Sequence, residues 1–272
     1  MLAFRQQCRK LYGNLNNMQI RPLTLDWTQD LPRYWFDSSP AKTHAIDCLQ
    51  ISFAPGERAF INVVNHYKRR ITDQQLQEEI KVFLGQEGWH RRVHLDYNEW
   101  LRTQGYDIDG SVKEWQDLID LTTEQYGNVG QMVTTVALEH YTALLGEWVL
   151  SNDVMTNTAH PHFREIYKWH ALEEVEHKSV AFDVLLQVAE SNPRLKNSLT
   201  AVRRRALLLT TYNMIQVTAR TLFKELKRDG QLWKWRTYYD LADLLLHPRQ
   251  GMFWFMIRPW FKFLRQDFHP SR

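Results

Sequence analysis

Trp169-His170-Ala171-Leu172-Glu173-Glu174-Val175-Glu176-His177-Lys178 is the stretch from which the rest of the chain is read. Residues three and four apart share a helical face, so Glu174 and His177 stand side by side, with His170 one turn earlier on the same side. A carboxylate and an imidazole in that register offer hard oxygen and nitrogen donors to one point, as a divalent metal requires. One such pair is a common accident of a solvated helix face. Here a second, Glu87-Gly88-Trp89-His90, lies 87 residues upstream.

The chain around these pairs reads as helical. Its 272 residues include only 11 Gly and 9 Pro, and 44% are hydrophobic and 13% aromatic, enough for a substantial core. Helices are expected from Pro55 to about Lys68, from the capping box at Thr72-Asp73-Gln74-Gln75 to about Thr103, and over Ser111–Tyr126. Further helices are expected over Gln131–Ser151, His162–Glu190, Arg194–Arg228 and Trp233–Leu246. An aromatic, basic tail, Met252–Phe268, follows and is interrupted by Pro259. Gly127 and Gly130 separate two of these helices, and Asn192-Pro193 stops another. Three divisions follow: an irregular N-terminal arm (1–50) carrying Pro22, Pro32 and Pro40, a metal-binding bundle (51–193), and a C-terminal helical region (194–272) packed on it.

On those helices the inward positions are Glu57, then Glu87 and His90, then Glu139, then Glu174 and His177. That order, Glu, Glu-x-x-His, Glu, Glu-x-x-His, is the one by which ferritin-like bundles hold two metal ions. Four carboxylates balance the charge of two divalent ions, and one imidazole fixes each. The separations of 30 residues (57 to 87) and 35 (139 to 174) suit antiparallel neighbours, and the 52 from 87 to 139 suit a long crossover. The expected fold is therefore all-α, a ferritin-like four-helix bundle with a long crossover and additional C-terminal helices. The expected cofactor is two metal ions, iron first, with manganese or zinc as alternatives. The plainer readings are that Glu57 serves the helix dipole and that Glu139 faces solvent while His140 points inward. The apolar flanks Phe83, Trp89, Leu172 and Val175 oppose them, because a buried carboxylate needs a partner. His94 and His170 lie one turn from the motifs and are candidate catalytic proton carriers, extra ligands, or partners of the ligands. Glu173 and Glu176 fall on other faces, and His66, His160, His162 and His269 lie off the pattern.

Charge divides the chain. From Arg194 onward there are 16 basic and 5 acidic residues, a net +11, so the remainder of the +3 chain carries −8. Arg203-Arg204-Arg205 followed by Ala206–Thr210 has the local look of an interfacial helix, as has Phe253–Phe268, so peripheral membrane contact stays open beside simple packing. Nucleic acid is not expected, since no reading module is present. The expected partner is a small-molecule substrate, and a homodimer stays open. No run of 18 apolar residues exists for a spanning helix. MLAFRQQCRK lacks a secretory core, and Cys8 and Cys48 fit a reducing compartment, so the expected address is the cytoplasm.

Several blocks resemble a bacterial family labelled predicted metal-dependent hydrolase. They are Ser52–Phe60 (SFAPGERAF), Phe83–His90 (FLGQEGWH) with His94, Ala137–Thr142 (ALEHYT), Trp169–Asp183 (WHALEEVEHKSVAFD) and the terminal Phe268-His269-Pro270. The resemblance runs from about Ile20 to the end; Gly88 stands where the family has another small residue. It implies metal dependence. Its label implies hydrolysis, whereas the donor set looks more like that of ferritin-like oxidases and oxygenases. The leading expectation is a di-iron, O2-activating enzyme for an apolar small molecule. The alternatives are a dimetal hydrolase of an ester or phosphoester and a non-enzymatic metal-binding protein.

Overall fold

The computed structural model describes residues 18–151 and 153–271, and among these it is all-α, a helical bundle without strands. Cys8 and the first residues lie outside the described part, and Cys48 is a buried free thiol. Ten α-helices follow one another among the described residues: α1 (Pro40–Gln50), α2 (Phe53–Tyr67), α3 (Gln74–Thr103), α4 (Ile108–Ser151), α5 (Asp153–Thr158), α6 (Pro161–His177), α7 (Val180–Glu190), α8 (Pro193–Arg228), α9 (Trp235–Leu246) and α10 (Met252–Phe263). Local chemistry sets their starts. The Asp73 side chain accepts from Leu76 N at 2.8 Å to cap α3, and Asn192 accepts from Leu195 N at 3.2 Å to cap α8.

Three boundaries differ from the expectation. The N-terminal arm is not irregular throughout: Ser39 caps a helix that Pro40 opens, and α1 is buried along most of its length. The helices expected over 111–126 and 131–151 form a single bent element, α4. Its bend is at Gly127, with φ +62° and ψ −166°, a conformation essentially restricted to glycine. The long crossover is thus the first, helical half of α4. The helix expected over His162–Glu190 breaks one residue past His177. Lys178 turns to Glu147 of α4 at 2.7 Å, and the restart buries Val180, Ala181, Val184 and Leu185 in the core around Phe60 and Phe83.

The packing order makes a ring of four helices: α2 lies against α3 and α4, and α6 lies against α4 and α3. Two apolar clusters fill it. One holds Phe60, Phe83, Met132 and Ala181, and the other Trp35, Tyr97, Phe163 and Ile166. Along α3 the first cluster takes Phe83 and the second takes Val93 and Tyr97. Glu87 and His90 occupy the polar gap between them. Helix α8 packs on α4, α1 and α7, α9 on α1, and α10 on α4. Their outer faces keep large apolar side chains in solvent, among them Leu208, Tyr212, Ile215, Phe223, Trp235 and Trp254. No described helix is long and apolar enough to cross a membrane.

Candidate metal centre

Four helices each bring acidic side chains to the middle of the ring. Glu57 comes from α2, Glu87 and His90 from α3, Glu139 from α4, and His170, Glu174 and His177 from α6; all seven are buried. They fall into two groups. Glu57, His90 and His170 form one, and Glu87, Glu139, Glu174 and His177 the other, with the donor atoms of each within 4.8 Å of one another. Glu174 joins them: its Oε1 lies 3.3 Å from His90 Nδ1 and 3.0 Å from His170 Nε2, and its Oε2 lies 3.2 Å from His177 Nε2. Glu87 Oε1 spans the same gap, 3.6 Å from His90 Nδ1 and 3.3 Å from His177 Nε2. Glu139 Oε2 approaches His177 Nε2 to 3.5 Å.

These separations suit donors sharing an ion. At metal–donor distances of about 2.0–2.2 Å, donors subtending octahedral to tetrahedral angles lie roughly 2.8–3.6 Å apart. The hydrogen-bond inventory points the same way. Both oxygens of Glu57, Glu87 and Glu139, with His90 Nδ1 and His170 Nε2, are buried without a hydrogen-bond partner in the described structure. Native cores seldom leave such groups unsatisfied, and so many unsatisfied donor atoms aimed at one volume are what two divalent cations would satisfy.

Ionisation in the metal-free protein shows the same imbalance. Burial raises Glu57 to about 7, and burial with the neighbouring Glu87 and Glu174 carries Glu139 well above the carboxylate range. Burial also acts to raise Glu174, but the facing His177 and His170 outweigh it and hold that carboxyl well below its ordinary value. Burial disfavours a charged His90, yet Glu173, Glu174 and Glu87 prevail and raise its pKa well above 6.5. The centre therefore stores protons that metal binding would release.

An outer layer fixes the two motif imidazoles. His90 Nε2 lies 3.0 Å from Glu173 Oε2, and a carboxylate only accepts, so Nε2 carries the proton and Nδ1 faces the centre. Gln86 spends its amide nitrogen on Gln19 O at 3.1 Å and Glu176 Oε2 at 3.0 Å. Its oxygen is left to accept from His177 Nδ1 at 3.1 Å, which turns Nε2 inward. Both carboxylates are tied to Arg21: its backbone N–H donates to Glu173 Oε1 at 3.0 Å, and its guanidinium grips Glu176 through bonds of 2.8 and 2.7 Å. Trp169 Nε1 donates to Arg21 O at 2.8 Å. The sequence reading puts Glu173 and Glu176 on other faces, solvated or pairing with another helix, but the structure buries both side chains. The available signal was position: Glu173 lies three residues after His170 and four before His177, within the same broad face of a helix that is buried on nearly every side.

Of the two candidate proton carriers, His170 joins the first group of donors, whereas His94 stands beside it. His94 Nε2 comes within 3.3 Å of Glu57 Oε1 without hydrogen-bond alignment, and both its ring nitrogens are unpartnered. Burial, with His170 and His90 nearby, lowers its pKa well below 6.5, so it is neutral. His140 packs on Phe263 and Phe268, away from the donors. Of the histidines off the pattern, His269 Nε2 pairs with Asp183 Oδ1 at 2.8 Å.

The family described as predicted metal-dependent hydrolase matches residues 19–272. The chain belongs to that family. Neither the curated proteins nor the solved structures give a match. Membership agrees with the donor set in making metal the centre of function, and the two groups of donors provide for two ions.

Proposed function

We propose that this family member is a di-iron oxidase or oxygenase, with a centre of the ferritin-like type, acting on an apolar small molecule. One observation carries the reading. The cavity reaching Glu57 and Glu174, about 80 Å³ and partly open to solvent, is walled by Phe53, Phe60, Trp115, Leu138 and Leu145 and has no lysine, arginine or histidine in its lining. Hydrolysis of an ester or phosphoester builds negative charge that active sites meet with aimed donors or cations. This wall offers mainly hydrocarbon, which suits a substrate whose reacting bond is apolar.

Two iron ions in the centre would supply the reducing equivalents with which O2 is activated. The remaining work falls to the chain. Glu57, His90 and His170 would hold one ion and Glu87, Glu139 and His177 the other, with Glu174 shared. Glu173 and Gln86 hold the outer nitrogens of His90 and His177 protonated, so the inward nitrogens are the ones that would give up a proton to a metal. His94, neutral and beside Glu57, is placed to give or take a proton at Nε2. Phe53 and Phe60 exclude water from the substrate side.

The second reading, hydrolysis, is favoured by the family's description; there His94 or His170 would carry the proton to the leaving oxygen. Metal analysis of anaerobically purified protein, followed by oxygen-electrode measurements, separates the two. About two iron per chain and O2 uptake that is lost in His177→Ala support oxidation. Two zinc per chain, with ester cleavage indifferent to O2, would replace it with hydrolysis.

A further inference from the structure

The cavity beside the centre does not end there. A second one, about 550 Å³ and also partly open, runs between the first half of α4 and the N-terminal half of α8. The two share Leu118, Thr122, Thr134, Thr210 and Asn213 as lining, so they adjoin at these residues, which form the neck between them. Beyond the neck the walls are again apolar, with Val133, Leu195 and Val202, and the mouth carries the exposed Leu121, Tyr126 and Leu209.

One cation lines this passage. Of the run Arg203-Arg204-Arg205, the first two are engaged elsewhere: Arg203 donates to Arg265 O at 2.6 Å and Arg204 to Leu264 O at 2.5 Å. Arg205 is exposed, lies 6.0 Å from the Tyr126 ring centre, lines the outer cavity, and makes no ion pair among the described residues. An unpaired guanidinium on the edge of a long hydrocarbon channel is a receptor for an anion that carries a chain.

We propose that the substrate is a single-chain anionic amphiphile, its head held by Arg205 and its chain threaded through the Thr134–Thr210 neck towards Glu57 and Glu174. This rests on the proposed function above and names the substrate class for that centre. Length supports it. From Arg205 to Met214, which lines the inner cavity, α8 rises about 14 Å. With C–C bonds of about 1.5 Å, an extended chain of roughly ten to twelve carbons covers that distance. The head then stays outside, and the far end of the chain reaches the inner cavity, which Glu57 and Glu174 also line.

The test is calorimetric titration of the full chain, metal-free and manganese-loaded, with octanoate, decanoate, dodecanoate and 1-decanol below their aggregation limits. The expected result is one decanoate or dodecanoate per chain, octanoate weaker, and 1-decanol at least tenfold weaker than decanoate. Arg205→Gln, a change at an exposed site, should weaken decanoate at least tenfold and leave 1-decanol unchanged. Asn213→Trp should fill the neck and abolish the gain from octanoate to dodecanoate. In the manganese form, a 13C-labelled terminal methyl should broaden more than a 13C-labelled carboxylate. Saturable binding that ignores Arg205, absence of binding, or a carboxylate broadened more than the methyl would each overturn the proposal. Failure of the metal reading is distinguishable, since it shows as absent manganese, while titration of the metal-free chain still decides whether the passage takes the amphiphile.

Discussion

Replacing Glu173 by Gln should weaken one of the two metal positions and spare the other. Oε1 of Glu173 accepts from Arg21 N at 3.0 Å and faces Arg21 Nη1 at 3.4 Å, whereas Oε2 meets only His90 Nε2 at 3.0 Å. A glutamine amide has one acceptor, and two donors from Arg21 claim it. Its NH2 group is then turned to His90 Nε2, which must give up its proton to accept. The proton moves to Nδ1, the nitrogen facing Glu174 at 3.3 Å and Glu87 at 3.6 Å, where a metal would bind. Loss of such an orienting partner typically costs 10–100-fold in affinity, about 1.4–2.7 kcal/mol. The fold should survive, because Arg21 keeps its paired bonds to Glu176. Competition titration with cobalt(II) and a chromophoric chelator reads the outcome. One ion should bind 10–100-fold more weakly and the other, held around His177, within a few-fold of wild type. Two unchanged sites, or equal loss of both with the circular dichroism intact, would refute the argument.

Gly146→Ala should injure the centre through packing, since its Cβ would lie 2.9 Å from Ala171 O and 3.4 Å from Glu174 Cβ. A destabilisation of about 1–3 kcal/mol with reduced bound metal is expected in urea titrations and elemental analysis. Gly127→Ala places a side chain at φ +62° and should cost about 1–3 kcal/mol, read as a lower Tm. His140 is lowered from 6.5 to about 4 by burial, so the unfolded chain binds its proton first as pH falls. Stability is complete above about 6.5 and lost between 6.5 and 4. His140→Phe should therefore gain about 2–3 kcal/mol on wild type between pH 7 and pH 4.5 in paired unfolding curves, and parallel curves would contradict this. Chelation should lower Tm, by about 2.7 kcal/mol of stability for each site previously held at a hundred times its Kd.

The bundle and the convergence of these side chains were legible because both obey helical periodicity. Glu87/His90 and Glu174/His177 are local pairs whose geometry is set within one turn, and apolar flanks told that the turn faces inward. Glu57 and Glu139 needed only the spacing between helices. The outer layer was not legible in this way. Glu173 and Glu176 are defined by Arg21, more than 150 residues away, and no periodicity connects an extended arm to a helix it crosses. Helix α1 was hidden by its setting: Pro32 and Pro40 read as punctuation, although Pro40 is the first residue of a helix capped by Ser39. His170 shows the limit from the other side. Its face was evident, but its role among the donors depends on how α6 lies against α2, which tertiary packing decides.

The grip of Arg21 on Glu176 has a consequence for synthesis. The two residues are 155 positions apart, so at translation rates of about 5–20 residues per second Arg21 leaves the ribosome roughly 8–30 s before its partner does. Until then His90 and the first two carboxylates stand ready while the residues that orient and complete them are still unmade. Metal captured in that interval would meet an open, wet set of donors and leave again. The last helix of the ring and Arg21 would have to come together before the donors are complete, so a metal would be held firmly only once the bundle is whole.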